Sequence, residues 1–162
     1  MLFRSWVALD EVIGGALSSM GPSLKGHDFT LDLPPELVLI KGDSAMLERV
    51  FTNLIENSLK YAGNAAQHGI RAWRDKARLE IAVWDNGPGI APENLTRIFD
   101  KFARGDKESA VPGVGLGLAI SKTIIESHRG RIWAENRPQG GAVFRLSLPL
   151  PAAPEISEEA LK

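Results

Sequence analysis

One segment of alternating side chains, RLEIAVWD, ends in an acid and constrains the fold of this chain most strongly. Alternate residues of a strand point to the same face, so Leu79, Ile81, Val83 and Asp85 belong together. That face is apolar until its last member. If it faces a core, as its apolar members predict, Asp85 lines a mostly apolar pocket at the end of the strand. Because an unpaired carboxylate is costly to bury, the pattern requires a partner for Asp85.

The stretch that follows, NGPGI, indicates what kind of partner this is. The local sequence offers no base to Asp85, whereas a ligand N–H group, such as the exocyclic amine of adenine, could donate to it. Guanine would present an oxygen at the same place and be repelled. Gly87 and Gly89 would let the backbone pass close to a flat ring. The alternative is an ordinary Asx turn, because Asp-Asn-Gly is a strong turn signal.

The composition is that of one globular domain with little net charge. The chain has 162 residues, of which 44% are apolar and 24% charged. A net charge of -1 gives no reason to expect nucleic acid or an anionic membrane as a partner. No apolar run approaches the roughly 20 residues that cross a bilayer, and the first residues lack a signal-peptide pattern. The absence of cysteine excludes disulfides and thiolate metal sites, and it is compatible with a cytoplasmic protein.

Periodicity and turn residues predict an α+β domain over residues 1–150 and a polar tail over 151–162. Helices are expected over residues 5–20, 44–62 and 116–128, and strands over 29–34, 37–42, 70–74, 78–85, 131–136 and 142–150. Most strands follow one another in hairpins, which predicts a two-layer sandwich: a mixed, mainly antiparallel sheet covered by helices on one face. The loop-rich stretch over residues 86–114 is long for a structural connection, and such stretches are usually functional.

The second predicted helix, LERVFTNLIENSLKYA, carries a polar stripe beside its apolar arc. Asn53, Asn57 and Lys60 are spaced at i, i+4 and i+7, and Tyr61 lies on the inner edge of the stripe. An amide oxygen can ligate Mg²⁺, which prefers hard oxygen donors, and the ammonium can meet a phosphate charge. The alternative is a solvated helix edge.

The third predicted helix begins in a glycine-rich stretch, VPGVGLGLAI. Gly113, Gly115 and Gly117 lead into the helix, where free backbone N–H groups and the helix dipole can receive phosphates. The spacing matches neither the P-loop nor the dinucleotide fingerprint, so a flexible hinge is the alternative. Together the three features predict an adenine-reading acid, a metal and phosphate stripe, and a triphosphate cradle.

Four segments resemble, in order, the N, G1, F and G2 boxes of sensor histidine kinases: NLIENSLKYA, VWDNGPGI, IFDKFARG and GVGLGLAI. These boxes define a catalytic and ATP-binding domain of the Bergerat type, shared with gyrase, the Hsp90 chaperones and mismatch-repair ATPases. The resemblance covers about residues 5–150 and implies a two-layer α/β sandwich with an ATP lid. Two longer segments, IFDKFARGDKESAVPGVGLGLAI and NRPQGGAVFRLSLP, resemble the Kdp-type potassium or turgor sensor kinases.

The resemblance implies roles for individual residues. By it, Asn57 ligates Mg²⁺, Asn53 and Lys60 contact the phosphates of ATP, Tyr61 packs near the adenine and Asp85 holds the adenine amine. The other residues of the implied site are Gly87, Gly89 and Ile90 in the adenine pocket, Phe99, Lys101, Phe102 and Arg104 in the lid, and Gly113, Gly115, Leu116 and Gly117 at the phosphates. The two phenylalanines are implied to anchor the lid by packing. The two lid cations are possible phosphate contacts or simply solvated charges.

One position separates this chain from the ATP-hydrolysing relatives. In those, a glutamate one helical turn before the metal-binding asparagine activates water, and here that position is Asn53. An amide is no general base, so efficient hydrolysis is not expected. Glu56 is next to Asn57 in sequence but is rotated about 100° away around the helix.

The phosphoacceptor histidine of the resembled kinases lies in a separate helical dimerisation domain. His27, His68 and His128 lack its motif: the first precedes a strand, the second falls in a predicted polar loop, and the third ends a helix. We expect an excised, monomeric catalytic domain whose partners are ATP, the histidine-bearing dimerisation domain of the same kinase and, through it, a response regulator. The parent is expected to be membrane-anchored, without direct membrane contact by this part. The alternatives are a gyrase- or chaperone-like ATPase, an anti-sigma-type serine kinase, and a regulatory nucleotide-binding module.

Overall fold

The computed structural model describes residues 5–63, 67–100 and 116–152. Its helices and strands are β1 Trp6–Ala8, α1 Leu9–Ser19, β2 Asp28–Asp32, β3 Leu39–Lys41, α2 Ser44–Tyr61, β4 Gln67–Asp75, β5 Arg78–Asp85, α3 Gly117–Ser127, β6 Arg131–Asn136 and β7 Ala142–Pro149. Short 3₁₀ turns cover Gly21–Leu24, Pro92–Asn94 and Arg97–Phe99. Within the described ranges, no helix is both long and apolar enough to cross a membrane.

The main sheet has five strands in the order β2-β4-β5-β7-β6. Its neighbours pair antiparallel except β2 and β4, which run parallel, so the predicted mixed, mainly antiparallel sheet is confirmed. β1 and β3 form a separate antiparallel pair. The first helix was predicted to begin at residue 5. It begins at Leu9 instead, because Trp6, Val7 and Ala8 pair with β3.

α2 and β5 bury the faces that their sequence patterns predict. The side chain of Asp43 caps α2 by accepting a hydrogen bond from the backbone N–H of Met46, at 2.9 Å. The buried residues of the helix are Leu47, Val50, Phe51, Leu54, Ile55 and Ser58. On β5, the predicted face of Leu79, Ile81, Val83 and Asp85 is buried throughout. The acid therefore lies at the end of a core-facing strand.

The opposite face of the sheet is covered by arginine and tryptophan side chains rather than by helices. On β5 and β6, Trp84 and Trp133 alternate with the core-facing residues and so lie on this outer face. The guanidinium carbon of Arg137 lies 4.4 Å from the ring centre of Trp84, and that of Arg131 lies 5.1 Å from Trp133. These cation–π contacts shield the aromatic rings from water.

Candidate functional site

Asp85 is buried, with 7% of its surface exposed, and its two carboxylate oxygens differ. Oδ1 accepts hydrogen bonds from the backbone N–H of Gly87, at 2.9 Å, and of Ala142, at 3.3 Å. Oδ2 has no hydrogen-bond donor in the described part of the chain. The Asx turn that the sequence offered as an alternative is therefore present, but it occupies one oxygen only. The second oxygen remains able to accept from a ligand.

The loop after Asp85, residues 86–90, is held by close backbone contacts. A Cβ on Gly87 would lie 2.6 Å from the Cα of Ala62, just past α2, which leaves no room for a side chain. Gly89 has φ +82°, and a Cβ there would lie 2.8 Å from Asn136 Oδ1. Both glycines are therefore required by contacts inside the protein, a reason that the sequence did not reveal.

The amides of the α2 stripe are both engaged through their nitrogens. Asn53 Nδ2 donates to the carbonyl of Gly117 at 3.0 Å and lies 3.2 Å from Ser121 Oγ on α3. Asn57 Nδ2 donates to the carbonyl of Asn53 at 2.8 Å. These bonds leave both Oδ1 atoms without a donor among the described residues. The stripe therefore presents hard oxygen acceptors, which suits Mg²⁺ better than a merely solvated helix edge would.

The last turn of α2 carries the exposed pair Lys60 and Tyr61. The Lys60 ammonium lies 5.6 Å from the ring centre of Tyr61, whose surface is 42% exposed. Both side chains can therefore be reached by a ligand bound beside the helix. Their contacts with phosphate and adenine remain predictions.

α3 begins at Gly117 with Leu116 as its N-cap, and none of the described side chains caps it. An ideal Cβ on Gly117 would lie 3.6 Å from Asn53 Cγ, so the start of α3 meets the α2 stripe directly. The site therefore includes a helix N-terminus beside the amide oxygens.

The predicted lid lies largely beyond the described ranges. The residues that fall outside them are Lys101, Phe102, Arg104, Gly113 and Gly115. Phe99, at the edge of this stretch, is buried and meets Phe144 edge to face, with 6.2 Å between ring centres. Its surroundings agree with the packing role that the resemblance implies.

His68 is fully buried in β4, so its placement in a polar loop was wrong. The strand pairs with both β2 and β5, and this pairing draws His68 into the register position opposite Asp85. Its Nδ1 lies 2.6 Å from Ser58 Oγ, while Nε2 has no partner among the described residues. Burial lowers the pKa of His68. Electrostatic interaction with the ring of His27, whose centre lies 5.3 Å from that of His68, lowers this pKa further. His68 is therefore a neutral core residue.

His128 joins two helix ends and therefore has a structural role. Its Nε2 accepts a hydrogen bond from the backbone N–H of Asp43 at 3.0 Å, so the ring proton lies on Nδ1. That nitrogen is 2.8 Å from the carbonyl of Ile124 and donates to it. The side chain thus ties the start of α2 to the end of α3.

The described residues hold no cluster of three or more histidine or acidic side chains that could bind a metal ion. A metal here would instead rely on amide oxygens and on the oxygens of a bound ligand. Mg²⁺ commonly binds in this way, through one or two protein ligands together with substrate phosphates.

Comparison with known proteins assigns the chain to a family. Residues 42–152 match the family described as Histidine kinase-, DNA gyrase B-, and HSP90-like ATPase. The chain belongs to this family. Sensor protein KdpD of Escherichia coli K12 is 52% identical over 157 residues, which cover 97% of this chain and 17% of KdpD. The resemblance to sensor histidine kinases, and to the Kdp type among them, is therefore confirmed.

Solved structures agree with this assignment. The mycobacterial sensor histidine kinase MprB superposes with a TM-score of 0.83 at 27% identity, covering 91% of this chain and all of that one. Full-length ShkA, solved in complex with AMPPNP, superposes with a TM-score of 0.78 at 25% identity, covering 94% of this chain and 32% of ShkA. The chain is an ATP-binding domain of the histidine kinase type, and it spans about a sixth of the length of KdpD.

Proposed function

We propose that this chain binds Mg²⁺-ATP and presents the γ-phosphate to a histidine on a separate dimerisation domain of the same kinase. The observation that carries the proposal is Asp85, a buried carboxylate with one oxygen held by the main chain and the other without a donor among the described residues. A group so placed needs a donor, and the 6-amino group of adenine supplies one. Guanine presents a carbonyl oxygen there, so the same acid selects ATP over GTP.

The phosphates extend from this pocket along α2 towards the start of α3. Asn57 Oδ1 is the proposed metal ligand, because its amide nitrogen is already bonded to the helix backbone. Lys60 and the backbone N–H groups at Gly117 are proposed to meet phosphate oxygens. When bound, Mg²⁺ neutralises the charge that builds up on the phosphates during transfer. The contribution of the chain itself is to position and orient the nucleotide.

A water-activating base is absent where hydrolysing relatives have one. The side chain of Asn53 is bonded to Gly117 and lies within reach of Ser121, and an amide cannot take a proton from water. Glu56, the nearest acid in sequence, is exposed on another side of the helix. We therefore propose that the phosphoryl group passes to an acceptor outside this chain.

The histidines of the described residues are poor acceptors for that group. His68 and His128 are buried and hydrogen-bonded, and Nδ1 of His27 is also buried. We propose that the acceptor lies on the dimerisation domain and that a response regulator receives the phosphoryl group from it. We expect the dimerisation domain to lie outside the sixth of a KdpD-like protein that this chain spans, and the response regulator to be a separate partner reached through that domain.

A mixing experiment tests the proposal. The chain is incubated with Mg²⁺-ATP labelled at the γ-phosphate and with a separately produced dimerisation domain of the same kinase. We expect acid-labile label on that domain, because phosphohistidine is unstable in acid, and we expect the label to disappear with Asn57→Ala. Accumulation of free phosphate alone would favour a gyrase-like ATPase, and acid-stable label would favour a serine kinase. Either result would overturn the proposal.

A further inference from the structure

The turn that joins β6 to β7, residues 136–141, contacts both ends of the loop that follows Asp85. We infer that Asn136 and Arg137, within this β6–β7 turn, are positioning residues that aim the Asp85 carboxylate at the base of the nucleotide. The inference rests on the proposed binding of adenine by Asp85. It assigns a function to a segment with no place in the predicted site.

Asn136 holds the far end of the loop, at Ile90, by hydrogen-bonding to the main chain of that residue. Its Oδ1 accepts a hydrogen bond from the Ile90 N–H at 2.8 Å, and its Nδ2 donates to the Ile90 carbonyl at 2.7 Å. One side-chain amide thus satisfies both backbone groups of one residue, as a neighbouring strand would. This pairing determines where the loop ends, because a backbone held at both its donor and its acceptor cannot rotate freely.

Arg137 holds the near end of the loop, at Asp85. Its Nη1 donates to the main-chain carbonyl of Asp85 at 2.8 Å, and the same guanidinium stacks on Trp84. The backbone of Arg137 is itself fixed, because its N–H donates to Gly141 at 2.8 Å and its carbonyl accepts from Gly140 at 3.0 Å. The arginine is therefore a rigid support rather than a loose surface charge.

The main chain of the β6–β7 turn completes the support. Gly141 has φ +91°, and an added Cβ would collide with the carbonyl of Asp85 and lie 2.7 Å from the Cα of Asn86. The next residue, Ala142, donates its N–H to Asp85 Oδ1. The turn touches Asp85 at its main chain and the first residue of β7 touches one carboxylate oxygen, which together fix the direction of Oδ2. A shift of the turn would shift that direction.

Base discrimination separates this role from a general contribution to stability. The probes are ATP and purine riboside triphosphate, which lacks only the 6-amino group. Dissociation constants are measured by calorimetry, at a temperature well below the unfolding midpoint of each variant. The ratio of the two constants reports how well Asp85 meets the amine. A loss of stability alone would not alter this ratio in the folded fraction.

We expect Asn136→Ala and Arg137→Met each to weaken ATP binding about three- to tenfold and to leave binding of the purine analogue nearly unchanged. Arg137→Lys keeps a donor and a cation and should restore most of the discrimination. Arg131→Met is the matched control: it removes a guanidinium from the neighbouring Trp133 on the same face, without touching the loop. This control should keep the parental ratio.

The inference would be overturned by an unchanged ratio in both Asn136→Ala and Arg137→Met, whether the two nucleotides bind as they do to the parent or are weakened equally. Asp85→Asn serves as the reference and should abolish discrimination. If Asp85→Asn itself left the ratio at the parental value, the proposed adenine pocket would be wrong, and the inference would fall with it. If only the turn variants kept the parental ratio, the pocket would stand and the positioning role would fail.

Discussion

The candidate site has two ends that are built differently: the proposed base end at Asp85 and the proposed phosphate end at Asn53 and Asn57. At the base end, one carboxylate at the end of β5 is held by main-chain N–H groups and by the β6–β7 turn. At the phosphate end, the side-chain amides of Asn53 and Asn57 bond to the backbones of α3 and α2, which leaves their oxygens without a donor among the described residues. The base end depends on the sheet, and the phosphate end depends on the packing of two helices.

This difference suits the two parts of a nucleotide. A flat base with few hydrogen-bonding groups can be recognised by one rigid acceptor, because a ligand with an oxygen at the same place would leave that acceptor unpaired. Phosphates and Mg²⁺ need several oxygen ligands and positive groups, which a helix stripe and a helix N-terminus provide. The two ends should therefore fail separately when they are mutated.

The largest expected effect is at the base end, with Asp85→Asn. The amide oxygen would stay with the N–H groups of Gly87 and Ala142, which turns the NH₂ group towards the adenine amine. Loss of a hydrogen bond to a charged group is worth about 1.5–3 kcal/mol, so ATP affinity should fall at least about tenfold, with or without Mg²⁺. Calorimetric titration measures this, and unchanged affinity would contradict the account.

Asn57→Ala should weaken ligand binding at the phosphate end and leave binding at the base end unchanged. Removing a metal-ligand oxygen should abolish most of the gain in ATP affinity that Mg²⁺ brings, about tenfold or more, and leave binding in EDTA close to that of the parent. Glu56→Ala, next to it in sequence and exposed, is the matched control and should behave as the parent does. Equal losses with and without Mg²⁺ would show that the two ends are not separable.

A smaller effect is expected where the loop after Asp85 meets the end of α2. Gly87→Ala places a methyl group against the backbone of Ala62 and should lower the free energy of unfolding by about 1–3 kcal/mol. Gly14→Ala, inside α1 and facing open space, should instead raise it by up to about 1 kcal/mol. Chemical denaturation measures both changes. A stable Gly87→Ala variant with parental ATP affinity would show that the close approach is unimportant.

The smallest effect concerns how the free energy of unfolding depends on pH through His68, which lies opposite Asp85 in the sheet. Burial lowers the pKa of His68 in the folded state, so the unfolded chain binds more protons once the pH falls below about 6.5. The free energy of unfolding should therefore decrease on acidification from pH 7 to 5, by at most about 1.4 kcal/mol per pH unit from this group. His68→Gln should show a shallower decrease. Identical slopes in the two proteins would exclude His68 as the cause.

Much of this structure could be predicted from local sequence patterns. The alternation of β5 and the periodicity of α2 both come from burial of one face, which side-chain spacing records directly. Asp85 was placed correctly for that reason. The predicted helix from residue 44 to about 62 also agrees with α2, because Asp43 is a strong N-cap and the apolar arc is continuous.

Contacts between distant segments could not be predicted in the same way. Asn136 pairs with a backbone 46 residues away, and no periodicity marks such a partner. β1 and the burial of His68 likewise depend on which strands become neighbours. A signal was present in the two glycines that follow Arg137, since paired glycines before a strand mark a tight turn. The sequence did not indicate what that turn would touch.

The most direct test is a crystal structure of this chain with Mg²⁺ and a non-hydrolysable ATP analogue. The account predicts that the adenine amine lies about 3 Å from Asp85 Oδ2, while Oδ1 keeps its main-chain donors. It also predicts Mg²⁺ at about 2.1 Å from Asn57 Oδ1. A base bound away from Asp85, or a metal held without Asn57, would contradict the division of the site into these two ends.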